Sequence, residues 1–356
     1  MEQIRVAVVG GGIYGSYHLK ALKQIEKEEK VKLVALADLK EEILEKNKIT
    51  FNIKIYKDYH EMLNREKLDA LSIATPDFLH RKIALEAIDS GLHILVEKPL
   101  DISIEGCEEI IEHSQKRNIF VQVDFHKRYD PDHILLEKLI RQGRMGEICY
   151  GYAWIEDRID VPTEWFSWTS KTSPAFFLGV HFYDLFRWFL QSEVKSVYAT
   201  GRKSKLMNLG IDIYDYIQAS VIYGNNVNIF FSNSMILPKD FPSLVNQGLR
   251  IIGTEGIWEN DTQNRGVEVC LSDQGLIIPN NVFYSEGLDQ LGNTIHGGYS
   301  VDGLRHFIEA VRHLKKGGLI SDFQIWRYPS AKDGLQSTKI ALAVHESIKS
   351  GKVVYL

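Results

Sequence analysis

The chain is 356 residues long, 44% hydrophobic and 25% charged, with a formal net charge of −5. That length favours two globular domains over one, and the slightly acidic balance offers no footprint for nucleic acid. No apolar run is long enough for a membrane span or a signal peptide. Cys107, Cys149 and Cys270 form neither a disulfide framework nor a metal-ligand spacing, so a cytoplasmic protein without a metal centre is expected.

Strand and helix patterns alternate through the first third. The apolar run 5–9 leads into Gly10-Gly11-Gly12-Ile13-Tyr14-Gly15, and a helix-forming segment follows at 17–24. Between a strand and a helix, Gly-x-Gly-x-x-Gly reads as a dinucleotide turn. Gly10 permits the tight exit from the strand, Gly12 lets backbone approach a pyrophosphate, and Gly15 lets helix and strand pack closely. The phosphates would meet the helix N-terminus, with Ile13 and Tyr14 beside them. A second apolar strand, 31–37, ends at Asp38, about 20 residues on, where a carboxylate can accept both ribose hydroxyls and repel a 2′-phosphate. This favours NAD over NADP, although Asp38 can equally cap the next helix.

The pattern then predicts helices at 40–48, 59–65, 80–90 and 104–116, and strands at 53–56, 69–74, 93–96 and 119–123. Strands apolar on both faces and separated by helices predict a doubly wound parallel sheet with its ligand across the strands' carboxyl ends. Near residue 125 the pattern changes, so we place one domain at 1–125 and a second at 126–356. The second opens with a helix at 133–142, a strand at 149–154 and a helix at 179–190. β-type runs follow at 194–200, 214–223, 227–235 and 248–253, then helices at 301–314 and 331–350. The alternation of Tyr216, Gln218, Ser220 and Ile222 with Ile217, Ala219, Val221 and Tyr223 predicts a large open, mostly antiparallel sheet with helices on one face. Phe230, Phe231 and Tyr223 are expected on its other face, facing a partner.

Candidate chemistry lies in two places. Glu97 and Lys98 end an apolar strand, where the reactive ring of a nicotinamide would lie. A lysine there can relay the proton of a substrate hydroxyl, although most lysines at strand ends are only solvated. His181 and Asp184, three apart on a helix, project from one face. The histidine suits a general base, with Asp184 orienting it or holding a hydroxyl; a core histidine beside a local carboxylate is the other reading. Arg128, Trp154 and Tyr299 are further candidates for substrate contacts.

Taken together, Gly10–Gly15, Ala74-Thr75-Pro76 with His80, Glu97-Lys98-Pro99, Arg128-Tyr129-Asp130-Pro131, Gly179-x-His181-x-x-Asp184 and Gly253-Thr254-Glu255-Gly256 resemble the glucose-fructose oxidoreductase / inositol dehydrogenase / MocA family over essentially the whole chain. The resemblance implies an N-terminal Rossmann domain followed by an α/β domain whose open sheet builds a homo-dimer or homo-tetramer. It implies a nicotinamide cofactor, Lys98 as a catalytic residue and His181 at the reacting carbon. It also implies that Thr75, Pro76 and His80 line the cofactor cleft, and that Lys98–Pro99 is a cis peptide. One position departs from the family: the aspartate usual four residues before the histidine is Phe177 here, among Trp165, Phe166, Trp168 and Phe176.

These readings lead to an NAD-dependent oxidoreductase moving hydride between a nicotinamide and a secondary alcohol of a sugar, cyclitol or related polyol. The missing aspartate keeps two other readings open: a redox-neutral NAD-dependent glycosidase, and a non-enzymatic regulator that binds nucleotide or sugar.

Overall fold

The structure is a computed structural model that describes residues 3–28, 30–324 and 326–356. Two compact units are present, Met1–Asp130 with Val282–Leu335, and Pro131–Asn281 with Gln336–Leu356.

The first unit begins β1 (Ile4–Val9), α1 (Ile13–Lys27), β2 (Val31–Ala37), α2 (Glu41–Phe51), β3 (Lys54–Tyr56), α3 (Tyr59–Arg65), β4 (Ala70–Ile73), α4 (His80–Asp89), β5 (His93–Val96), α5 (Ile104–Lys116) and β6 (Val121–Val123). The six strands pair in parallel in the order β3-β2-β1-β4-β5-β6. Every residue of β4 is buried, as a central strand covered on both faces requires. The order reverses between β1 and β4, which sets the ligand crevice at the carboxyl ends of those two strands.

The chain continues through α6 (Pro131–Arg141), β7 (Ile148–Arg158), α7 (Val180–Leu190), β8 (Val194–Arg202), α8 (Lys205–Asn208), β9 (Tyr216–Tyr223), β10 (Asn228–Leu237), β11 (Val245–Gly253), β12 (Ile257–Asp261), β13 (Val269–Leu271) and β14 (Gly275–Ile277). It then forms β15 (Ser285–Leu288), β16 (Thr294–Gly297), α9 (Tyr299–Lys315), α10 (Ala331–Ser350) and β17 (Val354–Tyr355). The second unit is built on a seven-stranded sheet in the order β12-β11-β7-β10-β9-β8-β17. Only β7 and β10 pair in parallel; the other neighbours are antiparallel.

One face of that sheet is covered by α7, whose residues Val180–Phe189 are all buried. Phe231 of β10 meets the rings of Tyr183 and Phe186 there, at 5.1 and 5.3 Å between centroids. Two of the three aromatics expected on the open face are therefore on the covered one. Phe231 and Tyr223 are buried, and only Phe230 is exposed, at 52%. Side chains alternate with period 2, so Phe230 and Phe231 cannot share a face. Tyr150, Tyr152 and Tyr198 join Phe230 among the exposed aromatics.

The structure also differs from a single division at residue 125. Residues 282–335 belong to the first unit. Val301, Leu304, Phe307, Ile308 and Val311 of α9 join Leu19, Leu22 and Ile25 of α1 in one apolar cluster. The Val123 N–H donates to the Pro329 carbonyl at 2.9 Å, at the free edge of β6. Among the described residues, no helix is long and apolar enough to cross a membrane.

Candidate active site

In the first unit, the turn from β1 into α1 has the geometry its glycines predict. Gly10 has φ +92°, and a Cβ there would strike the Ala74 carbonyl; one on Gly15 would strike the Gly10 carbonyl. Nothing lies within 4 Å of the Cβ position of Gly12. No side chain caps α1 and its first turn holds no acidic residue, so its first N–H groups are left for an anion. Oδ2 of Asp38 accepts from the Gly11 N–H at 2.7 Å and Oδ1 from the Lys40 N–H at 2.9 Å. Each oxygen keeps a second lone pair for a ribose hydroxyl. The Oγ1 of Thr75, at the end of β4, is buried without a hydrogen-bond partner. An open glycine backbone, an uncapped helix and a ribose-height carboxylate fit a dinucleotide.

Lys98 follows β5 at the carboxyl edge of the same sheet and is 7% exposed. Its Nζ stands 5.8 Å from the centre of the Tyr14 ring, and the Lys98–Pro99 peptide is cis. His80 holds the two adjoining loops, Nδ1 lying 2.7 Å from the Pro99 carbonyl and Nε2 2.9 Å from the Thr75 carbonyl. Its ring is thereby occupied with the backbone of Thr75 and Pro99.

Glu97 belongs to a buried network that the sequence reading missed. His18 of α1 sets Nδ1 2.6 Å from the Ser72 hydroxyl, and Nε2 3.0 Å from Glu97 and 3.3 Å from Asp124. Burial alone would depress His18, but its hydrogen bonds to Asp124 and Glu97 outweigh that and raise it to about 9. Burial and the Glu97 charge push Asp124 up, whereas for Glu97 the imidazolium overcomes burial and the carboxyl stays well below its ordinary value. His126, after β6, is driven down to about 3 by burial and by Lys127. One signal was available: His18 stands in the buried stripe of α1 with Leu19, Leu22 and Ile25, where a histidine needs polar partners.

Two predicted substrate contacts are held inside this unit. Nη2 of Arg128 pairs with Oδ1 of Asp333 at 3.1 Å, both side chains under 10% exposed. Tyr299 is 2% exposed, stacked on His126 with its edge to Phe283. A separate cleft of about 510 Å³, lined by Phe120, Gln122, His306, Phe323 and Arg327 among others, contains none of the predicted residues.

In the second unit, a wide π turn at Ala175–Gly179 precedes α7, where the pattern had begun the helix at 179. Ser173 starts it, its hydroxyl accepting from the Phe176 N–H at 3.3 Å and lying 2.8 Å from Nε2 of His345. Phe177 packs against Phe166 and Trp168, at 5.4 and 6.1 Å. His181 is 4% exposed and Asp184 fully buried. Oδ1 of Asp184 lies 3.9 Å from Nη1 of Arg187, whose Nε and Nη2 donate to Glu193. Asp184 therefore stands as a buried counter-ion to Arg187. Trp154 lies on the open face of β7, since its neighbours Ala153 and Ile155 are buried on the face that α7 covers. It points away from His181.

Residues 4–125 match an oxidoreductase family with an NAD-binding Rossmann fold, and residues 133–259 match the GFO/IDH/MocA C-terminal domain. The scyllo-inositol 2-dehydrogenase (NAD(+)) of Bacillus subtilis (strain 168) is 27% identical over 366 residues, covering 100% of this chain and 97% of its own. The fold is shared with myo-inositol 2-dehydrogenase from Lactobacillus plantarum, at a TM-score of 0.80 and 22% identity over 100% of both chains. It is shared too with scyllo-inositol dehydrogenase from Lactobacillus casei, solved with NAD(H) and scyllo-inositol, at 0.78 and 20% over 99% of each.

Proposed function

The chain belongs to the GFO/IDH/MocA oxidoreductase family, and from that premise we propose that it is an NAD-dependent dehydrogenase of a polyol, its substrate a cyclitol of the inositol type or a related sugar. One observation carries the reading. The uncapped start of α1, the Asp38 carboxylate and Lys98 all stand at the carboxyl edge of one parallel sheet. NAD, when bound, supplies the hydride acceptor. Asp38 holds the adenosine ribose, Lys98 takes or relays the hydroxyl proton, and His181 serves as the second proton-handling group. Asp184, at one remove, steadies α7 through Arg187. The inositol-type substrate is supported by the names of the relatives.

The exposed tyrosines and Phe230 of the open sheet suit self-association as a dimer or tetramer. The three free cysteines suit the cytoplasm. The test is nicotinamide absorbance with NAD and, separately, NADP, against inositols, sugars and glycosides. Reduction of NAD by an inositol supports the reading. Release of free sugar without net reduction, or nucleotide binding without turnover, replaces it with the glycosidase or the regulator.

A further inference from the structure

The family reading accounts for Lys98 but not for the four polar groups buried behind it. His18, Ser72, Glu97 and Asp124 are 2%, 1%, 5% and 3% exposed. One imidazole ties together α1, β4, the end of β5 and the end of β6. The ligand atoms of His18, Glu97 and Asp124 lie within 4.8 Å of one another, and their hydrogen bonds account for that closeness. Two carboxylates this near each other in a dry interior need a cation or a shared proton between them, and the His18 ring contacts both.

The clamp touches Lys98 directly. While Oε1 of Glu97 faces His18, its Oε2 accepts from the Lys98 N–H at 3.2 Å. The orientation of that peptide decides where the lysine side chain starts. At its other end, His18 stands six residues past Gly12 on α1, about 9 Å along a rigid helix. The same helix would take a pyrophosphate at its N-terminus. Other charged or titratable groups acting on the cluster are Lys98 and His126, with Lys127 beside His126. From α9 the neighbour is the backbone of Gly303, where a Cβ would lie 3.2 Å from Oδ1 of Asp124.

We propose that His18, Glu97 and Asp124 are positioning residues, a buried clamp through which the cofactor-binding helix sets both the placement and the proton affinity of Lys98. The kinetic part of this rests on the dehydrogenase reading; the effect on the lysine does not.

The test uses the full chain with Glu97→Gln and Asp124→Asn, each of which removes a charge and keeps the side chain's size. Thermal melting and NADH fluorescence titration establish that each variant folds and binds nucleotide. Acylation of Lys98 by acetic anhydride is then followed by mass spectrometry across pH, and kinetics are taken with NAD and the polyol that the wild type oxidises. The expected result is an acylation midpoint displaced by about one pH unit or more. A kcat lowered about tenfold to hundredfold, as for other supporting shells, accompanies it, with polyol KM little changed and partial recovery in Glu97→Asp. An unmoved midpoint in both variants, or a lower melting temperature with unchanged kcat, overturns the clamp. If the wild type oxidises no polyol, the dehydrogenase reading falls while the acylation midpoint still decides this one.

Discussion

Oδ2 of Asp38 accepts a hydrogen bond from the backbone N–H of Gly11 at 2.7 Å. The carboxylate that would grip the ribose thus also braces the turn that would cradle the phosphates. Asp38→Ala removes both functions. A hydrogen bond to a charged group contributes about 1.5–3 kcal/mol, so NADH should bind roughly tenfold to hundredfold more weakly. Preference for NAD over NADP should narrow in the same titration. Unchanged affinity for both nucleotides would remove Asp38 from the site.

Lys98→Ala should leave NADH affinity near the wild-type value and lower kcat by about 10²–10⁴, the usual range for a lost general acid–base. Single-turnover measurement with saturating nucleotide separates the chemical step from binding. Turnover close to that of the wild type would show that the proton leaves by another route.

For Arg128, the pairing with Asp333 predicts a loss of stability rather than of substrate affinity. Breaking a buried pair from one side costs about 3–5 kcal/mol. Arg128→Ala should therefore lower the urea midpoint strongly, while any folded fraction keeps its polyol KM. A raised KM at unchanged stability would return Arg128 to the substrate.

Stability should fall on the alkaline side. His18 binds its proton more tightly in the fold, at about 9 against an ordinary 6.5. Its contribution is complete below about pH 6.5 and is lost as pH rises through about 9. Asp124, pushed up to about 6, and the histidines that burial holds below their ordinary value, His126 among them, titrate at the acid end of that window, so the slope belongs to His18 above about pH 7.5. Urea unfolding at about pH 7.5 and at about pH 9.5 should differ by about 1–3 kcal/mol; a flat profile there would mean that His18 is neutral in the fold.

Phe230, 52% exposed on β10 opposite Tyr152 of β7, gives the open sheet an apolar centre. If copies of the chain associate there, Phe230→Asp should reduce the oligomer's mass in sedimentation without changing the melting temperature of the separated chain. The same mass for both proteins would move the interface elsewhere.

How much of this was legible depended on the range of the interactions involved. The cofactor turn was readable because Gly10 answers to its own positive φ, Gly15 to a clash with Gly10 five residues back, and Asp38 to the next strand's end. The parallel sheet was readable because central strands are apolar on both faces. The face of Phe231 was also local information, since period 2 already separates it from Phe230. The π turn before α7 was hidden because the run Phe176-Phe177-Leu178 is buried throughout and carries no periodicity. The pairing of Arg128 with Asp333, and of His18 with Glu97 and Asp124, joins residues far apart in sequence. A sequence can show that a buried histidine or arginine needs a partner, but not which one answers.

The return of residues 282–335 to the first unit has a consequence for synthesis. When the first 125 residues have left the ribosome, every strand of the parallel sheet exists, but α9 does not. The apolar surface that Val301, Phe307 and Ile308 will cover, beside Leu22 and Ile25, still faces solvent. Most of the second unit must be translated before that surface closes. The nascent Rossmann half is consequently exposed to chaperones and to aggregation for longer than its own length implies. A fragment cut at 125 should inherit the same defect permanently, binding a hydrophobic dye and failing to hold nucleotide.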